Sequence, residues 1–292
     1  VRWQKELRGW LLASPYFLSA LLFFLIPLGW SLSLVFFEWN LIAPVRPFVG
    51  LGNFIEAFKS TRVHHAFFNT YKFMAIFVPG VLAASLGLAL IVQHLPRLKH
   101  LYAVGFFLPY LASGVAIGLV VRGLLSYDSP FNEFLRKIFG EAPRWLRDPV
   151  WATVVISLMI IWKFSGYYAL IFLAGLQGIP RELYEAAALD GAGPFTQFRK
   201  ITLPLLYPAF YTVLVLAVGL CFGIFTEPYV LTGGGPRFAT HTWQLEIYYQ
   251  AFERFRAGYG AAVAVFNAVA TFLSILVIRG VVESWGARKG FR

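Results

Sequence analysis

Charge is what this 292-residue chain has least of. Asp, Glu, Lys and Arg together make up 13% of it, against roughly 25% in an ordinary soluble domain. Cysteine is almost missing as well: one residue excludes an intrachain disulfide framework and any Cys-based zinc cluster. The low hydrophobicity that marks a disordered chain is absent, since 59% of residues are hydrophobic and 18% aromatic. Mean hydropathy is +0.67. A soluble fold of this size could not cover so much apolar surface with polar groups. The class that remains is a polytopic membrane protein.

Signs of catalysis are also lacking. No nucleophile–base grouping and no pair of carboxylates stands out. His64 and His65 are adjacent but have no third ligand nearby in sequence, so no metal site is expected. Gly233-Gly234-Gly235 is no phosphate loop, because no Lys-Ser/Thr follows it and no strand precedes it. The net charge of +11 comes from 25 basic against 14 acidic residues. The basic residues lie in loops between apolar runs, without a basic stripe interleaved with aromatics. That pattern points to membrane orientation and anionic headgroups, and no nucleic-acid partner is expected.

What is present is a series of long runs poor in charge, each near the roughly 20 residues a helix needs to cross the hydrocarbon. Six spans are predicted, at about 10–37, 68–93, 101–124, 149–177, 204–226 and 257–282, in one transmembrane domain covering 1–292. The first run is too long for a signal peptide and is expected to be a retained helix. Basic residues are denser in the short connecting segments 94–100 and 178–200 and at the two ends. By the positive-inside rule both termini are then inside. The outer loops carry aromatic segments, FVGLGNF at 48–54 and RWLRDPVW at 144–151, that suit short interfacial helices.

The inner loop at 178–203 is the informative one. Pro180 suits a helix start, and Glu182 and Glu185 sit where the helix dipole favours anions. Gly191 and Gly193-Pro194 break that helix, and a second short one follows, ending in Arg199 and Lys200. Pro204 then starts the fifth span. Within this frame Glu185, Ala186 and Ala187 precede Asp190 and Gly191, and Ile201, Leu203 and Pro204 follow at fixed spacing. This order resembles the EAA motif of binding-protein-dependent ABC importer permeases. PYVLTGGGP, with Gly233, Gly234, Gly235 and Pro236, is similar to a signature of the F-type subunit of maltose and glycerol-3-phosphate transporters. The resemblance covers essentially the whole chain.

The resemblance implies an all-α, six-helix type I importer permease in a prokaryotic inner or plasma membrane. Its implied partners are a second homologous permease, two ATPase subunits, an extracytoplasmic binding protein and membrane lipid. ATP and Mg are implied on the ATPase subunits, with no cofactor on this chain. The 178–203 loop would be the coupling element, and a carbohydrate, an oligosaccharide, the substrate. An importer of glycerol-3-phosphate or a phosphodiester would share these motifs. A stand-alone secondary transporter is the competing class; such proteins often use intramembrane carboxylates, and all fourteen acids lie outside the deep spans.

Five residues are candidates for the substrate path. Lys163 is the one ionisable group deep in a span, which is a functional hypothesis by default. Tyr167 aligns with the family's substrate-contacting tyrosine when counted back from Glu185. Cys221 falls on the turn of span five that the resemblance turns toward the cavity. Glu227 lies at the outer end of that span, where substrate or a binding-protein arginine could meet it. Asn267 in span six needs a polar partner within lipid, either along the path or on a neighbouring helix.

Overall fold

The structure is a computed structural model that describes residues 2–40, 42, 44–95 and 99–289. Arg97 and Arg292, which contribute to the inner basic charge, lie outside the described residues. The helices in chain order are α1 (Arg2–Ala20), α2 (Ile26–Leu34), α3 (Gly52–Lys59), α4 (Thr61–His94), α5 (Lys99–Leu111), α6 (Gly114–Leu124), α7 (Pro130–Phe139) and α8 (Pro149–Gln177). They continue as α9 (Arg181–Leu189), α10 (Pro194–Gln197), α11 (Leu203–Leu205), α12 (Tyr207–Phe222), α13 (Thr226–Thr232), α14 (Trp243–Tyr248) and α15 (Ala257–Lys289). Single π-helical turns occupy Leu21–Leu25, Phe198–Thr202 and Tyr249–Glu253.

Among the described residues, four helical stretches are long and apolar enough to cross a membrane: Gly9–Leu34, Thr61–His94, Pro149–Gln177 and Ala257–Ser284. Two bent pairs complete six: Leu101–Leu111 with Gly114–Leu124 at 85°, and Pro194–Leu205 with Tyr207–Phe222 at 63°. The fold is therefore the expected all-helical six-span one, with two spans that are not straight. The first bend falls where Ser113 leaves helical geometry and accepts from the Ala116 N–H through Oγ, a local cap that starts a new helix. The second has a proline cause. Pro204 and Pro208 lack N–H groups and cannot bond the carbonyls four residues back, so the helix turns at Leu206. Pro204 is thus inside short α11, and the apolar helix proper starts at Tyr207 rather than at Pro204.

The chain forms two compact units. One comprises residues 1–63 and 246–266. In it the apolar stretch Gly9–Leu34 buries no side chain within the protein. After it, Phe37 and Phe48 pair as an isolated antiparallel bridge, and Asn53 Nδ2 donates to the carbonyls of Val35 (2.9 Å) and Phe37 (3.0 Å). The segment FVGLGNF therefore divides: its first half is bridge and turn, and helix begins only at Gly52. Arg256 holds Glu56 through two short bonds of 2.7 and 2.6 Å, which keeps the Glu56 carboxyl below its usual range.

The second unit comprises 64–245 and 267–292 and is organised on α8. This helix is capped by Asp148 Oδ1, which accepts from the N–H groups of Val150 and Trp151. Thr153 and Ser157 donate to carbonyls one turn back, which satisfies both hydroxyls within the helix. Ile156, Ile160, Tyr168 and Phe172 are buried, as are Phe73, Phe77 and Val81 of α4 and Val213 and Ala217 of α12 in the same unit. Gly166 is what lets α5 lie against α8. A Cβ at Gly166 would collide with the carbonyl oxygen of Phe106. Small residues at such points are how membrane helices approach closely.

Gly166→Ala is therefore expected to force α5 away from α8 and to cost about 1–3 kcal/mol, the usual range for overpacking. Gly105→Ala, whose Cβ would meet nothing within 4 Å, should change stability by less than about 0.5 kcal/mol. Thermal unfolding of the detergent-solubilised protein compares the two; equal melting temperatures would remove the close-packing explanation.

Candidate functional site

Two separate places carry most of the residues singled out in the sequence. The first is the connection from α8 to α12. Pro180 takes an extended conformation just before α9, and Glu182 lies in the first turn. Glu185, Ala186 and Asp190 are exposed, and Ala187 is half-buried. Gly191 has φ +79°, a left-handed value that favours glycine, and it ends the helix. The reversal is closed by the Ala192 N–H bonding the Ala187 carbonyl at 2.8 Å. Gln197 then donates from Nε2 to the Ala192 carbonyl at 2.9 Å, tying the following α10 to the turn.

Inside this knob Tyr184 and Thr202 share a hydroxyl hydrogen bond of 2.9 Å. It joins α9 to the π-helical turn that holds Ile201 and leads into Leu203 and Pro204. The knob is thus braced to itself, and its outer surface presents apolar groups. Leu189 is 91% exposed and Phe195 74%, with Leu183 beside them in the same helix as Glu185. The expected helix–turn–helix is present, with the EAA residues on an exposed helix.

The second place lies deep in the helices. Lys163 of α8 donates to Glu227 Oε1 at 3.0 Å, with side chains 13% and 7% exposed. Glu227 does not end the fifth span as the sequence suggests. The apolar helix α12 stops at Gly223, whose N–H turns back to the Leu220 carbonyl, and Glu227 opens the separate helix α13. That break lets a carboxylate reach inward to a lysine in the middle of a span. Gly114 at the start of α6 lies over the pair: a Cβ there would stand 2.8 Å from Lys163 Nζ and 3.6 Å from Glu227 Oε1. Four residues on, a Cβ at Gly118 would stand 2.9 Å from Val230 of α13. Arg122 at the end of α6 donates to the Val230 carbonyl at 3.2 Å. Gly114 and Gly118 form a small-xxx-small face, G-V-A-I-G, whose spacing is the signal that could have found them, and it carries the α6–α13 contact.

Tyr167 lies one turn beyond Lys163 on the same face of α8. Its ring stacks on Tyr110 of α5, centroids 4.7 Å apart and planes 15° from parallel. Phe164 packs edge-on to Tyr110 at 5.5 Å and stacks on Tyr168 at 6.3 Å. One face of α8 thus carries Lys163 with Glu227 and, one turn on, Tyr167 with Tyr110; Tyr110 and Gly114 were missed by sequence reasoning.

Cys221 and Asn267 are elsewhere. Cys221 is buried in the packed interior, not on an open surface. Asn267 Nδ2 donates to the carbonyl of Phe222, where α12 ends, at 3.3 Å. Of its two expected uses, the bond to a neighbouring helix is the one present. The glycine run forms a closed turn. Gly233 (φ +60°) caps α13, Gly234 has φ +86°, and Thr240 donates to the Gly235 carbonyl at 2.7 Å; the Gly235–Pro236 peptide is cis. From α4, Asn69 donates to the carbonyls of Phe238 (2.6 Å) and His241 (2.9 Å), and Lys72 donates to that of Ala239 (2.6 Å). His65 stacks on Phe238 at 5.5 Å. Among the described residues no group of three or more His, Cys, Asp and Glu could hold a metal.

Residues 9–285 match the family described as binding-protein-dependent transport system inner membrane component. The chain is 34% identical over 257 residues to the sulfoquinovosyl glycerol transport system permease protein SmoG of Agrobacterium fabrum, covering 87% of this chain and 83% of that one. It is 34% identical to the sn-glycerol-3-phosphate transport system permease protein UgpA of Escherichia coli O6:K15:H31, covering 92% and 90%. It is 32% identical to the lactose transport system permease protein LacF of Rhizobium radiobacter, covering 93% and 92%. In shape it is similar to a chain of a bacterial ABC transporter involved in import of the acidic polysaccharide alginate, with a TM-score of 0.83, 24% identity, and coverage of 97% and 98%.

Removing one partner of a buried ion pair leaves an uncompensated charge, whereas replacing both by neutral groups is tolerated. Lys163→Met or Glu227→Gln alone is thus expected to cost about 3 kcal/mol, and the double variant to recover most of that loss. Additive losses in a double-mutant cycle of thermal stability would mean that the two residues are not coupled.

Proposed function

The chain belongs to the family of binding-protein-dependent transport system inner membrane components, and from that premise we propose that it is the permease subunit of an ATP-driven importer of carbohydrate. It is a multi-pass membrane protein and a transport component. ATP with Mg is bound and hydrolysed by separate ATPase subunits. A second homologous permease completes the membrane part, and an extracytoplasmic binding protein delivers the substrate.

The observation that carries this reading is the exposed, self-braced knob between α8 and α12. Work done by the ATPase subunits must reach this chain from outside, and a rigid element joined to two spans can transmit a displacement into both. Glu185 is the group for pairing with a basic ATPase residue, and Ala186 and Ala187 leave a small face that fits a groove. The exposed Leu183, Leu189 and Phe195 supply the apolar area that a docking surface needs. Gly191 permits the reversal that makes the knob compact.

Carbohydrate is supported by the wall on α8. Sugars have an apolar face and polar edges, and the Tyr110–Tyr167 stack with the adjacent Lys163–Glu227 pair offers both surfaces. The lactose relative points the same way. A second reading, an acidic sugar or a glycerol phosphate, is favoured by the ligands named for two relatives and the structural neighbour.

Glu185→Lys is expected to lower substrate-stimulated ATP hydrolysis by the reconstituted importer at least tenfold while leaving the thermal melt of the permease unchanged. Undiminished stimulated hydrolysis would sink the coupling role of this loop.

A further inference from the structure

Resting on the carbohydrate-permease reading, we propose that Glu227 is a specificity-determining residue: by holding Lys163 in a neutral pair it makes this wall accept uncharged carbohydrate and reject acidic ones. A bare lysine facing a substrate path would attract carboxylate, sulfonate or phosphate groups. Here its ammonium is already engaged by Glu227 at 3.0 Å, and both side chains are almost fully withdrawn from solvent. Gly114 closes one side of the pair and the Phe164 ring lies 5.6 Å from Nζ. Little room is left for the ammonium to swing toward a second anion.

A sugar laid on the Tyr110–Tyr167 stack meets this pair one helical turn along α8. Its hydroxyls can accept from the remaining ammonium protons and donate to the carboxylate, and the pair survives. An acidic sugar must either displace Glu227 or place its own anion beside that carboxylate. In surroundings of low dielectric, like charges at such range repel strongly. Selectivity of this kind comes from a repulsive element as much as from an attractive one. The acidic ligands named for several relatives make it a choice between two real chemistries.

The test uses the assembled transporter in nanodiscs, with its partner chains and without binding protein, so that the membrane part discriminates and a change caused by a variant of this chain is read directly. Saturation-transfer NMR reads binding of neutral probes (maltose, trehalose and lactose) and anionic probes (cellobiouronic acid and sn-glycerol 3-phosphate). Wild type is expected to bind a neutral probe at least tenfold more tightly than either anion. Glu227→Gln should tighten the anionic probes at least tenfold and change neutral binding by less than threefold. The neutral pair Lys163→Met with Glu227→Gln, which avoids an unpaired buried charge, should restore the neutral preference. Anions bound as tightly as neutral sugars by wild type, or an unchanged preference in Glu227→Gln, would overturn the filter and leave the carbohydrate reading standing. No transfer to any probe in any of the three proteins would overturn both.

Discussion

A charged lysine in the middle of a 29-residue apolar helix is costly in a bilayer, and a counter-charge offsets that cost. Much of the second unit follows from meeting that need at Lys163. The carboxylate comes from Glu227, and it reaches the lysine because α12 stops at Gly223 and α13 begins anew. Room for the pair comes from α6, whose first residue is Gly114 and whose fifth is Gly118. The break before α6 brings that end to the pair and leaves α5 free to lie on Gly166. One electrostatic demand thus accounts for two helix interruptions and two close approaches.

The other end of α8 obeys a different logic. From Lys163 to Gln177 is about 21 Å of helix at 1.5 Å per residue, and beyond it the chain leaves lipid to make the knob. There the polar groups bond one another, Tyr184 to Thr202 and Gln197 to the Ala192 carbonyl, while Leu189 and Phe195 stay outside. A surface that satisfies its own hydrogen bonds and exposes its apolar groups is stiff and ready to be covered. A single helix, α8, thus joins the knob at one end to the Tyr110–Tyr167 stack along its length.

Much of this was legible in the sequence. The runs poor in charge located six spans, and the glycines and prolines of 178–206 outlined the knob, because both signals are local. The bend at Leu206 was not read, although Pro204 and Pro208 state its cause four residues apart. Glu227 read as an outer-end residue because the apolar run continues to Thr226; only the fold shows that Gly223 ends the helix first. The partner of Asn267 is a carbonyl, which leaves no mark in side-chain chemistry. Tyr110, Asn69 and Lys72 owe their roles to helices that meet in space, and no spacing along the chain announces them.

The proposed role of the knob requires partner subunits for it to dock on. The most direct measurement is to tag it at its native locus, solubilise the membrane in mild detergent, and identify the co-purifying chains by mass spectrometry. A second six-helix permease together with an ATPase subunit is the expected result. A chain that purifies alone, stays folded and transports in sealed vesicles without ATP would contradict it.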